Sequence, residues 1–306
     1  MINKVLIITH KEDYTSDFLI NKLNDRNLKY KRFNCEDLNI KHYSINTSFR
    51  LNFDGEENYS SVWFRRTKLP IMENLKPEIQ LYLAEEYYTF LKNIFSVLDC
   101  KWLSNPFEVY KAENKLLQLK EALELGFNIP DTIITNSREL LLKFYKKNNK
   151  RVIIKPLSQS KIVENNSTSF LFSNILKEEH ILNLAEYDLT PCIYQELIEK
   201  NIELRITVVG DKVFAAATNS QEKINTKIDW RREDSIFYEF KISNEIEQLC
   251  IKLVKNLNLK FGAIDMIIDK KGNYIFLEIN PNGQWAWIET QTNLPISEAI
   301  INELYF

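Results

Sequence analysis

The stretch that most restricts the fold runs from residue 262 to 285 and reads GAIDMIIDKKGNYIFLEINPNGQW. Two apolar runs flank a Lys-Lys-Gly-Asn turn signal, which is the pattern of a β-hairpin. Side chains alternate between the two faces of a strand. One face of the second run therefore carries Tyr274, Phe276, Glu278 and Asn280. A turn at 271–272 would place Asp265 opposite Glu278, and a bulge would shift this pairing by one residue.

The predicted hairpin thus places two carboxylates and a carboxamide on one patch. Two carboxylates this close repel each other unless a cation lies between them. Oxygen ligands on a rigid strand suit Mg²⁺, which keeps some waters and takes phosphate oxygens for the rest of its shell. An exposed hairpin edge with solvated acids, followed by an ordinary Asn-Pro-Asn-Gly turn, explains the strands alone equally well.

The composition excludes several classes of function. Hydrophobic residues make up 44% of the 306 residues and charged residues 27%, which is typical of a globular protein. A formal charge of −2 gives no basic field for non-specific nucleic-acid binding. The four cysteines form no CxxC pair and the three histidines are scattered, which argues against a zinc site or a disulfide framework. Idle thiols in a reducing cytoplasm are the simplest explanation.

The sequence shows neither a targeting segment nor a glycine-rich nucleotide-binding loop. The N-terminal apolar run is short and followed by charges, so it predicts a strand rather than a signal peptide. No run approaches the ~20 apolar residues of a membrane span. With six glycines and neither a Walker motif nor GxGxxG, a nucleotide site would have to hold its phosphates by side chains. We therefore expect a cytoplasmic protein with no nucleic-acid or membrane partner.

The chain divides into three predicted units with soft boundaries. Residues 1–104 read as an α/β unit, 105–190 as a β/α unit, and 191–306 as a strand-rich unit. The first contains predicted strands at Val5–Thr9 and Ser61–Phe64, a helix at Ser16–Asn27, and a longer helix with an apolar stripe at Leu83, Tyr87, Leu91, Ile94 and Leu98.

Local signals place the elements of the other two units. Asn105-Pro106 predicts a helix start, and Gly126 predicts the end of that helix after Leu125. The polar segment Pro156–Ser169 predicts a mobile loop. Further predicted elements are strands at Ile129–Thr135, Arg151–Lys155, Ile193–Leu197, Glu203–Val209, Val213–Thr218, Gly262–Asp269 and Tyr274–Asn280, and helices near 137–147 and 243–257.

The order of these residues resembles the ATP-grasp superfamily of carboxylate ligases. A lysine in a helix is followed by a lysine after an apolar strand, a Gln-Glu hinge, Glu-x-Arg, an aspartate and a final Glu-x-Asn. The resemblance covers residues from about 105 to 306. It implies an α/β (α+β) ATP-grasp fold with an N-terminal pre-ATP-grasp domain at 1–104, a central lobe at 105–190 and a C-terminal antiparallel lobe at 191–306. It also implies ATP and Mg²⁺ as cofactors.

Carried over residue by residue, the resemblance implies a role for each position. ATP would be bound by Lys115 and Lys155 at the phosphates, by Gln195, Glu196, Leu197 and Ile198 at the adenine, and by Glu203 at the ribose. Arg205 would act near the phosphates, and Mg²⁺ would be held by Asp265, Glu278 and Asn280. Each lysine taken alone is more often an ordinary solvated residue, and only the joint order favours the site.

Five segments narrow the resemblance to the microviridin-type, or graspetide, peptide maturases. They are VWFRR at 62–66, NPF at 105–107, IIKPL at 153–157, DWR at 229–231 and EINPNGQWAWIE at 278–289. Such enzymes join side-chain carboxylates of a precursor peptide to Ser or Thr hydroxyls as esters, or to Lys as amides. The resemblance implies a precursor with a leader and an acidic, Thr-rich core, and a homodimer. The segment after Lys155 departs from the family because it lacks glycines.

Within this resemblance, Asp229 is the candidate base for the acceptor hydroxyl. Arg231 would bind the substrate carboxylate or the developing charge, since its planar fork suits a bidentate contact. A surface charge cluster around Trp230 is the alternative.

Four further side chains have two interpretations each, and one hairpin with its neighbours is a candidate docking site. Arg65 and Arg66 either face an acidic peptide or form structural ion pairs. Trp285 and Trp287 either wall the acceptor site or pack in the core. The hairpin 203–218 is a candidate docking edge for a leader peptide.

Two rival functions remain. One is an ATP-grasp ligase that forms amide bonds, with a Lys side chain or a free amino acid as the acceptor. The other is an idle ATP-binding or peptide-binding module, which predicts the loss of a metal ligand or a phosphate lysine. All of these residues are present in the sequence.

Overall fold

The structure is a computed structural model that describes residues 4–158, 161–164, 167–170, 173–182, 191–219 and 235–306. These residues form sheets of four, four and five strands and two small two-stranded ladders, with helices between them. No helix in these ranges is both long and apolar enough to cross a membrane.

The N-terminal unit is built on a parallel sheet of order β2-β1-β5-β6. Its elements are β1 (Lys4–Thr9), α1 (Tyr14–Asp25), β2 (Lys29–Asn34), a 3-10 turn (Cys35–Asp37), β3 (Tyr43–Ile45), β4 (Leu51–Phe53), β5 (Ser61–Phe64), α2 (Pro77–Val97) and β6 (Lys101–Trp102). β1 is apolar on both faces because both are covered, and Val5 to Ile8 are fully buried. The predicted strand Ser61–Phe64 is confirmed. The predicted stripe of α2 is buried only at its end, from Leu91 onward.

The middle unit has an antiparallel sheet of order β11-β8-β12-β7. Its elements are α3 (Pro106–Ala112), α4 (Lys115–Leu125), β7 (Thr132–Thr135), α5 (Arg138–Lys147), β8 (Val152–Pro156), β9 (Lys161–Glu164), β10 (Ser167–Phe170), β11 (Asn174–Ile175), α6 (Glu178–Leu182) and β12 (Cys192–Glu196).

Two predictions for this unit are wrong. The single helix expected from Asn105 to Leu125 is two helices, because the Asn114 side chain accepts a hydrogen bond from the Leu117 backbone N–H and caps a new helix. The loop expected over Pro156–Ser169 contains the antiparallel pair β9 and β10. The predicted stop is confirmed, since Gly126 adopts a left-handed φ of +96°.

The C-terminal unit is an antiparallel sheet of order β15-β14-β13-β16-β17. Its elements are β13 (Lys200–Val209), β14 (Lys212–Thr218), β15 (Tyr238–Glu239), α7 (Asn244–Asn256), β16 (Phe261–Asp269), β17 (Tyr274–Asn280), α8 (Ala286–Thr292) and α9 (Ile296–Tyr305). The docking-edge prediction for hairpin 203–218 is wrong for β13, which is paired on both sides by β14 and β16.

The C-terminal helices, which the sequence analysis did not predict, return to the N-terminal sheet. Ser61 donates through its hydroxyl to the backbone oxygen of Leu304 at 2.7 Å, and the Tyr305 hydroxyl donates to the Lys29 oxygen at 2.9 Å. One buried cluster accordingly contains Val5 and Ile7 of β1 together with Ile300 and Leu304 of α9. The first and last parts of the chain therefore share a core, and the turn after β17 lies at their junction.

Candidate active site

The hairpin of β16 and β17 has the predicted register at its polar positions. Asp265 pairs with Glu278, and Ala263 pairs with Asn280. The register then shifts, so that Met266 pairs with Phe276. The prediction that all four even positions share a face is wrong at this point, because the irregularity separates the fully buried Phe276 from the half-buried Glu278.

The buried carboxylate Asp265 is held from two sides. Arg205, its cross-strand partner on β13, donates to Asp265 Oδ1 at 2.9 Å. The Asn280 amide donates to Asp265 Oδ2 at 3.3 Å. Arg205 also donates to the Gln284 backbone oxygen at 3.2 Å. These contacts fix the orientation of Asp265, and they place the guanidinium beside the predicted metal ligands.

Lys115 reaches the same patch from a different element. It is the first residue of α4, directly after the N-cap Asn114. Its Nζ lies 3.9 Å from Glu278 Oε2 and donates to the Pro156 backbone oxygen at 3.2 Å. Pro156 follows Lys155, the second predicted phosphate lysine, on β8. Lys115 therefore contacts both β8 and β17, the strand of the predicted metal ligand Glu278.

The predicted adenine hinge follows β12. Gln195 is buried and donates to the Thr132 hydroxyl at 3.0 Å, while its Oε1 has no partner among the described residues. The backbone N–H groups of Glu196 and Leu197 bond to the oxygens of Asp131 and Arg151. Three residues of the hinge, Glu196, Leu197 and Ile198, line a cleft of about 350 Å³.

The predicted ribose ligand Glu203 is buried on β13. Its Oε1 lies 2.7 Å from the Nζ of Lys200, which is also buried.

A second cleft, of about 550 Å³, brings three of the predicted site residues together, namely Lys115, Glu278 and Asn280. Its walls are formed by the end of β5, the α3–α4 junction and β17 with its turn. Its lining includes Arg66, Glu113, Lys115, Glu278 and Asn280. Desolvation in the cleft raises the pKa of Glu113, and the charge of Arg66 partly offsets this. The cleft thus presents cations on two walls and oxygen ligands on the third.

The donor set fits Mg²⁺ and the phosphates of ATP. Asp265, Glu278 and Asn280 offer only oxygen ligands, as Mg²⁺ prefers. Within the described residues no group of three His, Cys, Asp or Glu side chains could hold a metal ion, so the third protein ligand would be the amide of Asn280. Lys115 supplies a cation at the same point, where a lysine about 4 Å from a phosphate oxygen contributes about 4 kcal/mol of Coulomb attraction at an effective dielectric near 20.

The turn after β17 is fastened to the N-terminal unit by Arg65. This buried guanidinium bonds to Asp13 at 3.2 Å and to the backbone oxygens of Asn282 and Gly283 at 3.3 and 3.4 Å. In return, the Asn282 amide donates to the Arg65 oxygen at 3.1 Å. Of the two interpretations of Arg65, the structural ion pair is confirmed. Arg66 instead lines the cleft.

Gly283 lies where this turn meets the sheet, so a methyl group there should disturb the site. A Cβ at Gly283 would lie 2.5 Å from the Ala263 Cβ and 2.6 Å from Arg205 Nη2. We expect Gly283→Ala to lower the free energy of unfolding by about 1–3 kcal/mol, as overpacking does, and to lower ATP turnover. Thermal unfolding and ADP release measure the two effects, and Ala263→Gly in the same chain should recover part of the stability. Unchanged turnover would contradict the expectation.

The remaining candidates have mixed outcomes. Asp229 and Arg231 lie outside the described residues. Trp285 is fully buried and packs edge-on against Phe18 at 5.8 Å, so packing describes it better than a wall of the acceptor site. Trp287 packs in the same way against Phe237 at 4.9 Å.

Sequence reasoning missed two residues that shape the site. Asp13 lies 52 positions before its partner Arg65. Gln118, three residues after Lys115, bonds to β17 across 161 positions of sequence. Lys115 and Gln118 are three positions apart and so lie on one helical face. This spacing was the only sequence signal that pointed to Gln118.

The fold and this donor set define an ATP-grasp ligase. Residues 112–304 match the RimK-like ATP-grasp domain family, and residues 4–110 match the MvdD pre-ATP grasp domain. The chain belongs to the RimK-like ATP-grasp family. It is therefore an ATP-dependent ligase that uses ATP and Mg²⁺.

Two solved structures of similar proteins each align with nearly the whole chain. A RiPP-associated ATP-grasp ligase from Chryseobacterium gregarium, in complex with ADP and a leader and core peptide, is 29% identical with a TM-score of 0.89, covering 99% of this chain and 96% of that one. The macrocyclase MdnC from Microcystis aeruginosa, bound with precursor peptide MdnA, is 28% identical with a TM-score of 0.88, covering 98% and 99%.

A curated relative is named as a ligase of alpha-aminoadipate and LysW. The alpha-aminoadipate–LysW ligase LysX of Sulfurisphaera tokodaii is 26% identical over 222 residues, which is 69% of this chain and 74% of that protein.

Proposed function

We propose that this protein macrocyclises a ribosomally made precursor peptide. It activates Asp or Glu side-chain carboxylates with ATP and joins them to Thr or Ser hydroxyls as esters. The observation that carries the proposal is the cleft at the α3–α4 junction. Lys115, Glu278 and Asn280 line this cleft together with Arg66 of the N-terminal unit. Likeness over 98–99% of the chain to two ligases solved with peptides supports it.

The chain's own groups would perform the activation by positioning and electrostatics. Asp265, Glu278 and Asn280 would hold Mg²⁺, which supplies Lewis-acid stabilisation of phosphoryl charge when bound. Lys115 and Lys155 would hold the phosphates. A peptide carboxylate oxygen would then attack the γ-phosphorus, so that ADP leaves and an acyl phosphate forms.

The substrate would approach from the N-terminal wall. Arg66 is an exposed cation at the cleft, with no ion pair within 4 Å among the described residues, and it would receive the peptide carboxylate. Arg205 would orient Asp265 and steady the charge near the phosphates. In this proposal Asp229 would be the base that accepts the proton of the acceptor hydroxyl. Arg231 would bind the substrate carboxylate.

The hinge and ribose assignments belong to the same proposal. Gln195, Glu196, Leu197 and Ile198 would bind the adenine, and Glu203 would bind the ribose. The proposed domains are 1–104, 105–190 and 191–306, and a homodimer remains a prediction.

The second candidate is a ligase that forms amides with a Lys side chain or a free amino acid. Similarity to the alpha-aminoadipate–LysW ligase is the observation that favours it. It would use the same ATP and magnesium groups and differ only in the acceptor nucleophile.

Mass spectrometry separates the two candidates. An acidic, Thr-rich precursor encoded beside the gene would be incubated with the protein, ATP and Mg²⁺, with Glu278→Ala as the inactive control. We expect the loss of one water mass per ring, reversed by mild base because esters hydrolyse. Water loss that survives base would establish amides. No mass change on the peptide, with ATP turnover on added amino acids, would overturn the macrocyclase proposal.

A further inference from the structure

We propose that Gln118 is a positioning residue that sets the spacing between the phosphate-binding Lys115 and the metal ligands Glu278 and Asn280. The inference rests on the site roles proposed above for these three residues. It assigns a task to a buried side chain whose hydrogen bonds go to backbone groups.

The Gln118 amide uses both of its N–H donors and its oxygen on backbone groups. Its Nε2 donates to the Ala112 oxygen at 2.7 Å and to the Ile279 oxygen at 2.9 Å. Its Oε1 accepts from the Ile279 N–H at 3.1 Å. The side chain is only 3% exposed, so no water competes for these groups. A buried amide with three backbone hydrogen bonds favours one arrangement of the helices and the strand.

The two ends of this bridge are the parts of the site that must be aligned. Ala112 ends α3, one turn from Lys115, and Gln118 follows Lys115 by three residues on the same helical face. Ile279 lies between Glu278 and Asn280. The bridge therefore joins the helix that presents the cation to the strand that presents the oxygen ligands.

The position of β17 explains why a side chain is needed. Among the described residues, β17 is the last strand of its sheet, and its outer edge has no strand neighbour there. Gln118 supplies the donor and the acceptor that another strand would supply at Ile279. The observed result is the 3.9 Å separation between Lys115 Nζ and Glu278 Oε2.

The charged groups near Gln118 determine which properties a substitution at this position would alter. The charged groups around the bridge are Lys115 and Glu113 from the helices, Glu278 from β17, and Arg65 and Arg66 across the cleft. Gln118→Met keeps the length and apolar body of the side chain and removes every hydrogen bond. It alters none of these charges, so an effect on magnesium dependence would report geometry.

The test measures binding of the nucleotide analogue AMPPNP with Mg²⁺ and with EDTA. A misplacement of about 1 Å can cost roughly 10²-fold in a reaction, and we expect Gln118→Met to reduce the magnesium-dependent gain in affinity by at least about 10-fold. Gln118→Asn, which keeps the amide but is one methylene shorter, serves if the methionine variant fails to fold, and it should show the same direction of change.

Gln80→Met is the matched control. Gln80 also donates to a backbone oxygen, that of Leu75 at 2.7 Å, but it lies on α2 away from the cleft. Its magnesium-dependent gain should equal that of the wild type.

The outcomes separate this inference from the function proposed above. A lower melting temperature with an unchanged magnesium-dependent gain would assign Gln118 a purely structural role and overturn the inference. If Glu278→Gln abolishes the gain but Gln118→Met does not, the site roles stand and the positioning role fails. If neither variant changes the gain, both the metal assignment and this inference are wrong. Peptide is absent, so a failed macrocyclisation cannot produce any of these results.

Discussion

Replacing Glu278 by Gln should lower ATP-dependent turnover by about 10³-fold, because a bound metal contributes several kcal/mol to stabilising phosphoryl charge. The substitution keeps the shape of the side chain and removes one of two paired carboxylates. Asp265, its cross-strand neighbour, is already engaged by Arg205 and Asn280 and cannot replace it. Turnover measured as ADP release over a range of Mg²⁺ concentrations checks the result.

The fold should survive this change, because Glu278 is half-buried at the wall of the cleft. Glu139→Gln offers a matched control, since Glu139 is an exposed acid on α5 that pairs with Lys143 at 2.6 Å. The control should retain wild-type turnover. Activity in Glu278→Gln that excess Mg²⁺ does not improve and that stays within a few-fold of the wild type would refute the metal assignment.

Replacing Arg65 by Met should lower the free energy of unfolding by about 3–5 kcal/mol, the cost of breaking a buried ion pair by removing one partner. The change strands the carboxylate of Asp13, which is fully buried. It also removes two donors from the turn at 282–283. Urea unfolding followed by fluorescence gives the free energy.

Asp13 provides the internal control. A double variant, Asp13→Asn with Arg65→Met, removes the stranded charge and should recover more than 1 kcal/mol of the loss, which is the scale of coupling between contacting residues. Additive losses in the two single variants would contradict the assignment of an ion pair.

The same pair predicts a pH dependence. Burial raises the pKa of Asp13, but the charge of Arg65 and hydrogen bonds from Ser16, Arg65 and Thr9 outweigh it, so the pKa lies well below the usual range. A depressed folded-state pKa stabilises the protein above the unfolded-state pKa, and this stability is lost as the pH falls through the folded-state value. The difference in the free energy of unfolding between the wild type and Arg65→Met should therefore be largest at neutral pH and smaller under strongly acidic conditions.

The sequence predicted the metal hairpin because both of its determinants are local. Alternation sets the faces, the Lys-Lys-Gly-Asn turn marks the hairpin, and a turn assumed at 271–272 gave the pairing of Asp265 with Glu278. In the structure the pairs beside the turn, such as Ile268 with Tyr274, would place Asp265 opposite Leu277, and the register shift after Asp265 restores the pairing with Glu278. The irregularity after Asp265 could not be predicted, because a skipped residue leaves the apolar pattern intact. The break at Asn114 was hidden for a similar reason, since apolar spacing continues through both helices.

The contacts of the site between residues distant in sequence could not be predicted from local sequence patterns. Arg65 could equally have faced the solvent or a substrate, and only the approach of the turn at 282–284 decides between them. Gln118 is an unremarkable helical glutamine until β17 lies beside it. The hairpin of β9 and β10 was misread as a loop because its residues are polar and its apolar alternation is short.

The attachment of the turn at 282–284 to Arg65 has a consequence for domain exchange. A chimera that joins residues 4–110 of one relative to residues 112–304 of another would respect both family boundaries, yet it would cut through this attachment. Asp13 and Arg65 would come from one parent, and the turn beside Asn280 from the other. Recombined enzymes with altered peptide preference should therefore keep these two residues and the turn from the same parent.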